Sequence, residues 1–186
     1  MSSYSTANSF LHNIEGDWSL TPRLLKSGGT DRRCVAAIVM PAGTGKSFFR
    51  RVHPDVKVCE ADELCGTRAT KALDEFRTRA RETGDWTLYD IEMSRELLSC
   101  MEGGDVIMVS SLDLAKAMNA NIIGVHVLAP SRWRESVEHR GQNPEHYIID
   151  YFQAKLHPMA QVFPGFSSLF QEVKKNVEFW KEYMSS

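Results

Sequence analysis

The chain has 186 residues, enough for one domain of ordinary size, and its 42% hydrophobic and 25% charged residues suit a water-soluble globular fold. With 22 basic against 24 acidic residues the net charge is −2, so the chain as a whole lacks the basic bias of a nucleic-acid binder, which leaves nucleic acid only as an end substrate. No apolar run approaches the roughly 20 residues that span a bilayer, and the first residues lack a basic start leading into an apolar stretch, so neither a membrane span nor a secretory signal is expected.

Residues 1–33 read as an N-terminal extension. Its first nine residues are rich in Ser, Thr and Asn and are expected to be loosely attached, and Phe10, Leu11, Ile14, Trp18, Leu20, Leu24 and Leu25 follow without a clean period. The turn signal Ser27-Gly28-Gly29-Thr30 ends it. Cys34, Cys59, Cys65 and Cys100 form no CxxC pair and show no metal-ligand spacing with histidine, so they are expected to be reduced, mostly buried thiols in a cytoplasmic protein.

From Cys34 the pattern changes. Val35 to Met40 is a short, continuous apolar run, as expected of a strand buried on both faces. Pro41-Ala42-Gly43-Thr44-Gly45-Lys46-Ser47 follows at once, then a helix start at Phe48-Phe49-Arg50-Arg51 that Pro54 ends early. Val56 to Cys59 is a second short strand running into Glu60-Ala61-Asp62. Helical spacing predicts helices over 70–81, stopped at Gly84, and over 90–101, stopped at Gly103-Gly104. Strands are predicted at 105–109 and 122–128, with a short helix over 112–118 between them. A charged helical stretch over 131–156 is interrupted near Gly141 and Pro144; a loop over 157–165 then precedes a last helix over 167–183. Alternating short strands and helices predict a parallel sheet covered by helices on both faces, because parallel neighbours need crossover connections.

The sharpest motif is the phosphate loop. Gly-x-x-x-x-Gly-Lys-Ser between a buried strand and a helix cradles phosphates, and here Gly45-Lys46-Ser47 is intact while Met40 stands at the first glycine. Gly43 and Gly45 let successive N–H groups turn onto phosphate oxygens, and the helix that follows adds its positive end. Lys46 is placed to reach the β- and γ-phosphates of a nucleoside triphosphate and the Ser47 hydroxyl to sit on Mg²⁺. The candidate nucleotide-binding set is Ala42, Gly43, Thr44, Gly45, Lys46, Ser47 and Phe48.

Glu60 and Asp62 come at the predicted carboxyl end of the second strand, the edge where open α/β sheets bind ligands. Period two puts them on one side, where they could take a proton from an attacking hydroxyl or help Ser47 hold Mg²⁺. Alternatively Asp62-Glu63-Leu64 opens a helix with acidic first-turn residues. The third strand ends in Val109-Ser110-Ser111 where most relatives of this loop carry an acid, and Asp113 could stand in. Arg132, Arg134 and Arg140 supply cations for a migrating phosphoryl group on a flap hinged near Gly141 to Pro144, or belong to a solvated helix laced with Glu–Arg pairs. Trp133 beside them is a candidate substrate contact. His126 reads as a satisfied core histidine, and Phe163, Phe166, Phe170, Phe179 and Trp180 read as packing residues.

In this order, over residues 34–183, these parts resemble the P-loop kinases that include nucleoside monophosphate, shikimate-type and polynucleotide 5′-hydroxyl kinases. The resemblance rests on Met40 to Ser47, Glu60-Ala61-Asp62, Asn121 to Pro130 with arginines directly after it, and a C-terminal helix. It implies a P-loop NTPase fold over 34–186: a three-layer α/β structure with about five parallel strands in the order 2-3-1-4-5 and an arginine lid around 131–156. It also implies ATP (or another triphosphate) with Mg²⁺, an acceptor site near Asp62 and an adenine slot around His157 to Gly165. The fifth strand is expected near Trp86 to Tyr89. The implied activity is phosphoryl transfer to a nucleotide, nucleoside, polynucleotide end or other small molecule. A different reading, favoured by Met40, is a nucleotide-holding module of a larger assembly that uses the N-terminal extension to reach a protein partner. A third is a hydrolase of ATP or GTP.

Overall fold

A computed structural model of the chain describes residues 34–66 and 71–186. The N-terminal extension, its turn at 27–30 and the helix start expected at Thr70 lie outside the described residues.

The first apolar run forms β1 (Ala36–Val39), with all four residues buried. It lies at the centre of a five-stranded parallel sheet with the strand order β2-β3-β1-β4-β5. Its neighbours are β3 (Val106–Val109) and β4 (Asn121–Leu128); Val39 is in register with Val109 on one side and Val125 on the other. Outside β3 lies β2 (Cys59–Glu60) and outside β4 lies β5 (Ala160–Phe163). Strands flanked on both sides and covered on both faces must be apolar throughout, which is why β1 and β3 carry no alternation.

The helices are α1 (Lys46–Val52), α2 (Ala61–Gly66), α3 (Lys71–Thr83), α4 (Thr87–Cys100), α5 (Leu112–Ala117), α6 (Pro130–His139), α7 (Ile148–Leu156) and α8 (Phe166–Ser185), with a short 3₁₀ turn at Pro144–His146. The connection through α1 runs leftward from β1 to β2, whereas those through α5 and α7 run rightward. Right-handed crossovers therefore put α1 on one face and α4, α5 and α7 on the other. Phe49 of α1 meets Phe170 of α8 edge-on at 5.2 Å, which puts α8 on the face of α1. Since β1 and β3 are neighbours whose chains leave on opposite faces, a crevice opens at their carboxyl ends, and the phosphate loop lies there.

Three expectations are corrected. The fifth strand is not at 86–89: Asp85 accepts a hydrogen bond from the Thr87 N–H at 3.0 Å, and α4 begins at Thr87. Instead β5 occupies Ala160–Phe163, inside the expected loop; as an edge strand it is only half covered, so no continuous apolar run announces it. The second strand is shorter and later than Val56 to Cys59, because the turn after α1 (Val56 N–H to the His53 carbonyl, 3.2 Å) uses up its first residues. Phe179 is 65% exposed, while Leu169, Phe170, Val173, Val177 and Trp180 form the buried stripe of α8. Helix α3 stops where expected, at Gly84, whose φ of 76° follows an N–H bond to the Ala80 carbonyl at 2.8 Å.

His126 is a core residue, with Nε2 2.6 Å from Asn176 Oδ1 while Nδ1 has no hydrogen-bond partner among the described residues. Gly124 leaves room for that pair, since a Cβ there would lie 2.5 Å from Asn176 Oδ1. Among the described residues no helix is long and apolar enough to cross a membrane. Cys34, Cys59 and Cys100 are free thiols, of which only Cys34 is fully buried.

Candidate active site at the phosphate loop

Met40 continues the sheet one residue past β1, its N–H bonded to the Val109 carbonyl at 2.9 Å, and its side chain is fully buried. The methionine at the first-glycine position thus belongs to the core, and the loop turns after it. Thr44 closes that turn internally: its hydroxyl and its N–H both donate to the Pro41 carbonyl, at 2.5 and 3.1 Å. Thr44 is completely buried and lies outside the pocket wall, unlike the other residues of the sequence-derived nucleotide set. Gly43 and Gly45 have φ of 84° and 88°, the left-handed region where a side chain is strained. Each also has a neighbour where Cβ would be: a Cβ on Gly43 would lie 2.4 Å from Val137 Cγ2, and one on Gly45 2.8 Å from Phe166 Cε1.

The loop borders a cavity of about 690 Å³, within the usual range for small-ligand sites. Lys46 is 7% exposed, and its ammonium donates to the Met40 carbonyl at 2.9 Å. Burial pushes its pKa below the ordinary lysine value; Asp62, Glu60 and Asp150 oppose that shift and Arg140 reinforces it. The Ser47 hydroxyl donates to Glu60 Oε1 at 2.8 Å. Glu60 is buried at the end of β2, whereas Asp62 is exposed in the first turn of α2. The strand therefore does not reach Asp62, and the helix-opening alternative describes its backbone. Both carboxylates nevertheless face the same cavity.

The arginine segment divides. Arg132 and Arg140, eight residues apart, lie on the cavity wall, Arg132 over the Phe166 ring at 5.7 Å and paired with Glu135 at 2.5 Å. Arg134 lies outside that wall and pairs with Glu145 at 3.5 Å, so of the three arginines of this segment two face the cavity. Trp133 is a correction of another kind. It is buried, stacked on Tyr151, and its indole N–H donates to the Ala42 carbonyl at 2.8 Å, so it supports the loop from behind and does not face the cavity. Asp113, the stand-in acid, pairs with Lys116 at 3.5 Å outside the cavity wall, and Ser111 caps α5 by accepting from the Leu114 N–H.

The cavity wall also includes Arg51, Glu135, Ser136, His139 and Phe166, which sequence reasoning did not assign to it. Arg51 had a signal: it lies one helical turn after Ser47. Phe166 had none, since aromatic residues at the start of a helix usually pack inward. Phe48 and Phe166 meet edge-on at 5.9 Å, and Arg51 lies over Phe48 at 5.4 Å, giving the cavity one aromatic, cationic end.

The strand order, the loop that follows the central strand and its Gly-Lys-Ser turn together define a P-loop NTPase fold. No protein-family model and no curated protein sequence matches the chain. Among solved structures it is similar to a gluconokinase from Sinorhizobium meliloti 1021, at 15% identity over 83% of this chain and 98% of that one, with a TM-score of 0.49.

Proposed function

We propose that the chain is an ATP-dependent phosphotransferase. The observation that carries this reading is that one cavity gathers a phosphate loop with its lysine and serine, three carboxylates (Glu60, Asp62, Glu135) and three arginines (Arg51, Arg132, Arg140). In this reading Lys46 and the loop N–H groups hold the β- and γ-phosphates. Asp62, which faces the cavity from the start of α2, accepts the proton of the acceptor hydroxyl as that oxygen bonds to the γ-phosphorus. The bond from phosphorus to the β–γ bridging oxygen breaks, and ADP leaves. Arg132 and Arg140 stabilise the charge spread over the migrating group, so catalysis is mainly positioning and electrostatics.

The residues fit Mg²⁺. Among the described residues there is no ready-made group of three or more His, Cys, Asp or Glu ligands. Mg²⁺ at such sites needs only one or two protein oxygens besides phosphates and water. Ser47 and Glu60, already joined by a hydrogen bond, would provide them, with Asp62 near enough to act on Lys46 electrostatically. The ion would supply charge neutralisation on the phosphates.

A second reading, a nucleotide-holding module with little turnover, is favoured by Met40 at the first-glycine position and by Asp113 lying outside the cavity wall. ATP turnover with Mg²⁺ separates the two, assayed against nucleosides, nucleoside monophosphates and 5′-hydroxyl oligonucleotides. Phosphate transferred to one acceptor by the parent chain, and lost in Lys46→Ala, supports the transferase. ATP binding without transfer to any of them favours the module.

A further inference from the structure

Helix α6, the element that carries the arginines, is fastened to the phosphate loop at two polar points and one apolar point. The Trp133 Nε1–H donates to the Ala42 carbonyl at 2.8 Å, and the Ser136 hydroxyl donates to the Gly43 carbonyl at 2.7 Å. A methyl of Val137 fills the space beside Gly43 where a side chain would begin. The fastening is itself anchored to the sheet. Trp133 stacks on Tyr151 with ring centroids 4.2 Å apart, and the Tyr151 hydroxyl donates to the Leu128 carbonyl at the end of β4, at 2.8 Å. Trp133 is 2% exposed, so its N–H has no water to fall back on.

The geometry of a trans peptide gives these bonds a consequence. A carbonyl and the N–H of the same peptide unit point in opposite directions. Drawing the Ala42 carbonyl toward Trp133 turns the Gly43 N–H the other way. A loop carbonyl left free to swing into the cavity would set a partial negative charge against a phosphate. The face of α6 that does the fastening (Trp133, Val137) adjoins the face that lines the cavity (Arg132, Glu135, Ser136, His139, with Arg140 at the C-cap), with Ser136 belonging to both.

We infer that Trp133 and Ser136 are positioning residues of the phosphate site: they hold two loop carbonyls away from bound phosphates, and they make the arginine helix and the loop move as one body. The arginine helix then acts as a fixed wall that responds to phosphate through the loop, and it does not open as an independent flap. This rests on the nucleotide-site part of the function proposed above and not on phosphoryl transfer.

The test uses the full chain with MgATP and inorganic pyrophosphate as probes. Trp133→Phe keeps the ring over Tyr151 and removes the N–H; Ser136→Ala removes only the hydroxyl. Loss of one hydrogen bond that orients the site is expected to weaken pyrophosphate and MgATP binding by about three- to tenfold in each variant. The second measurement needs no variant to fold well. In the parent chain labelled with fluorotryptophan, the Trp133 fluorine resonance is expected to shift when pyrophosphate binds; a tether serving stability alone would leave it in place. Unchanged pyrophosphate affinity in either folded variant overturns the inference, as does an unmoved Trp133 resonance at saturating pyrophosphate. A parent chain that binds neither probe overturns the nucleotide site itself, whereas binding without transfer to any acceptor removes only the transferase reading.

Discussion

The Ser47 hydroxyl donates to Glu60 Oε1 at 2.8 Å, joining the first turn after the phosphate loop to the end of an edge strand two positions away in the sheet. The acid that meets the loop serine thus comes from β2, while β3, next to the loop strand, is followed by Ser110-Ser111. Glu60→Gln keeps an oxygen to accept the serine hydrogen bond but removes the charge. The expected result is a loss of Mg²⁺ affinity in the ATP complex of about tenfold or more, in line with roughly 1.5–3 kcal/mol for hydrogen bonds to charged groups. Mg²⁺ titration at fixed ATP reads this directly. An unchanged Mg²⁺ requirement would make Glu60 a purely structural partner of Ser47.

Asp62 has a different burden. It is exposed at the start of α2, so its replacement removes little packing. Asp62→Asn is expected to lower the transfer rate by roughly 10²–10⁴-fold, the usual range for a lost general base. Affinity for ATP should change little, and thermal stability should fall only by the fraction of a kcal/mol, about 0.3–1, that an acid contributes in a first helical turn. Transfer assays beside ATP-binding isotherms separate the two effects. Equal loss of binding and rate would instead make Asp62 part of the nucleotide site.

How much was legible in the sequence differs from element to element. The central strand and its loop were readable, because burial on both faces demands the unbroken run Val35 to Met40 and left-handed turns demand Gly43 and Gly45. The edge strand β5 was not, since Ala160–Phe163 is only partly covered and resembles a loop between two prolines. Glu60 and Asp62 do reach one cavity, but not through the period-two spacing of a strand: the chain changes from strand to helix between Glu60 and Ala61. The place of Trp133 beside the arginines suggests a substrate contact, whereas its partner is the Ala42 carbonyl. A bond from a side chain to a main-chain carbonyl 91 residues away leaves no periodic trace in the sequence. Arg134 is close to Arg132 in the chain but lies outside the cavity wall, because residues two apart on a helix point to different sides.

Gly43 is held by both conformation and space. Gly43→Ala places a non-glycine residue at φ 84°, costing about 1–2 kcal/mol, and sets Cβ 2.4 Å from Val137 Cγ2. Thermal or urea unfolding is expected to show a loss of roughly 2–5 kcal/mol, combining that backbone term with the usual cost of overpacking. Adding Val137→Ala should recover part of the steric share and none of the conformational one, so the two changes are non-additive. Strict additivity would mean that the loop shifts away from α6 in Gly43→Ala, and pyrophosphate affinity would then report how far the phosphate cradle is lost.

The last prediction concerns three acids near the first turns of α4, α5 and α7: Asp90, Asp113 and Asp150. Burial is the main cause raising the Asp90 pKa to about 7, with Asp113 and then Asp150 adding repulsion. Burial likewise raises Asp150 to about 6, with Asp113 adding to the shift and Lys46 opposing it. Both carboxyls start from an ordinary value of 3.8, so between about pH 4 and 7 these two groups hold more protons in the folded chain than in the unfolded one. Stability therefore falls as pH rises through that window, because the proton uptake that favours the folded state is lost. Asp90→Asn removes the charge at every pH. It is expected to raise the melting temperature at pH 8 relative to the parent and to change it little at pH 5, where parent Asp90 is already neutral. Melting curves across that range check the sign. A parent whose stability instead rises between pH 5 and 8 would show that other carboxylates, those held charged in the folded state, outweigh this pair, and an Asp90→Asn variant without gain at pH 8 would show that Asp90 finds compensation for its charge.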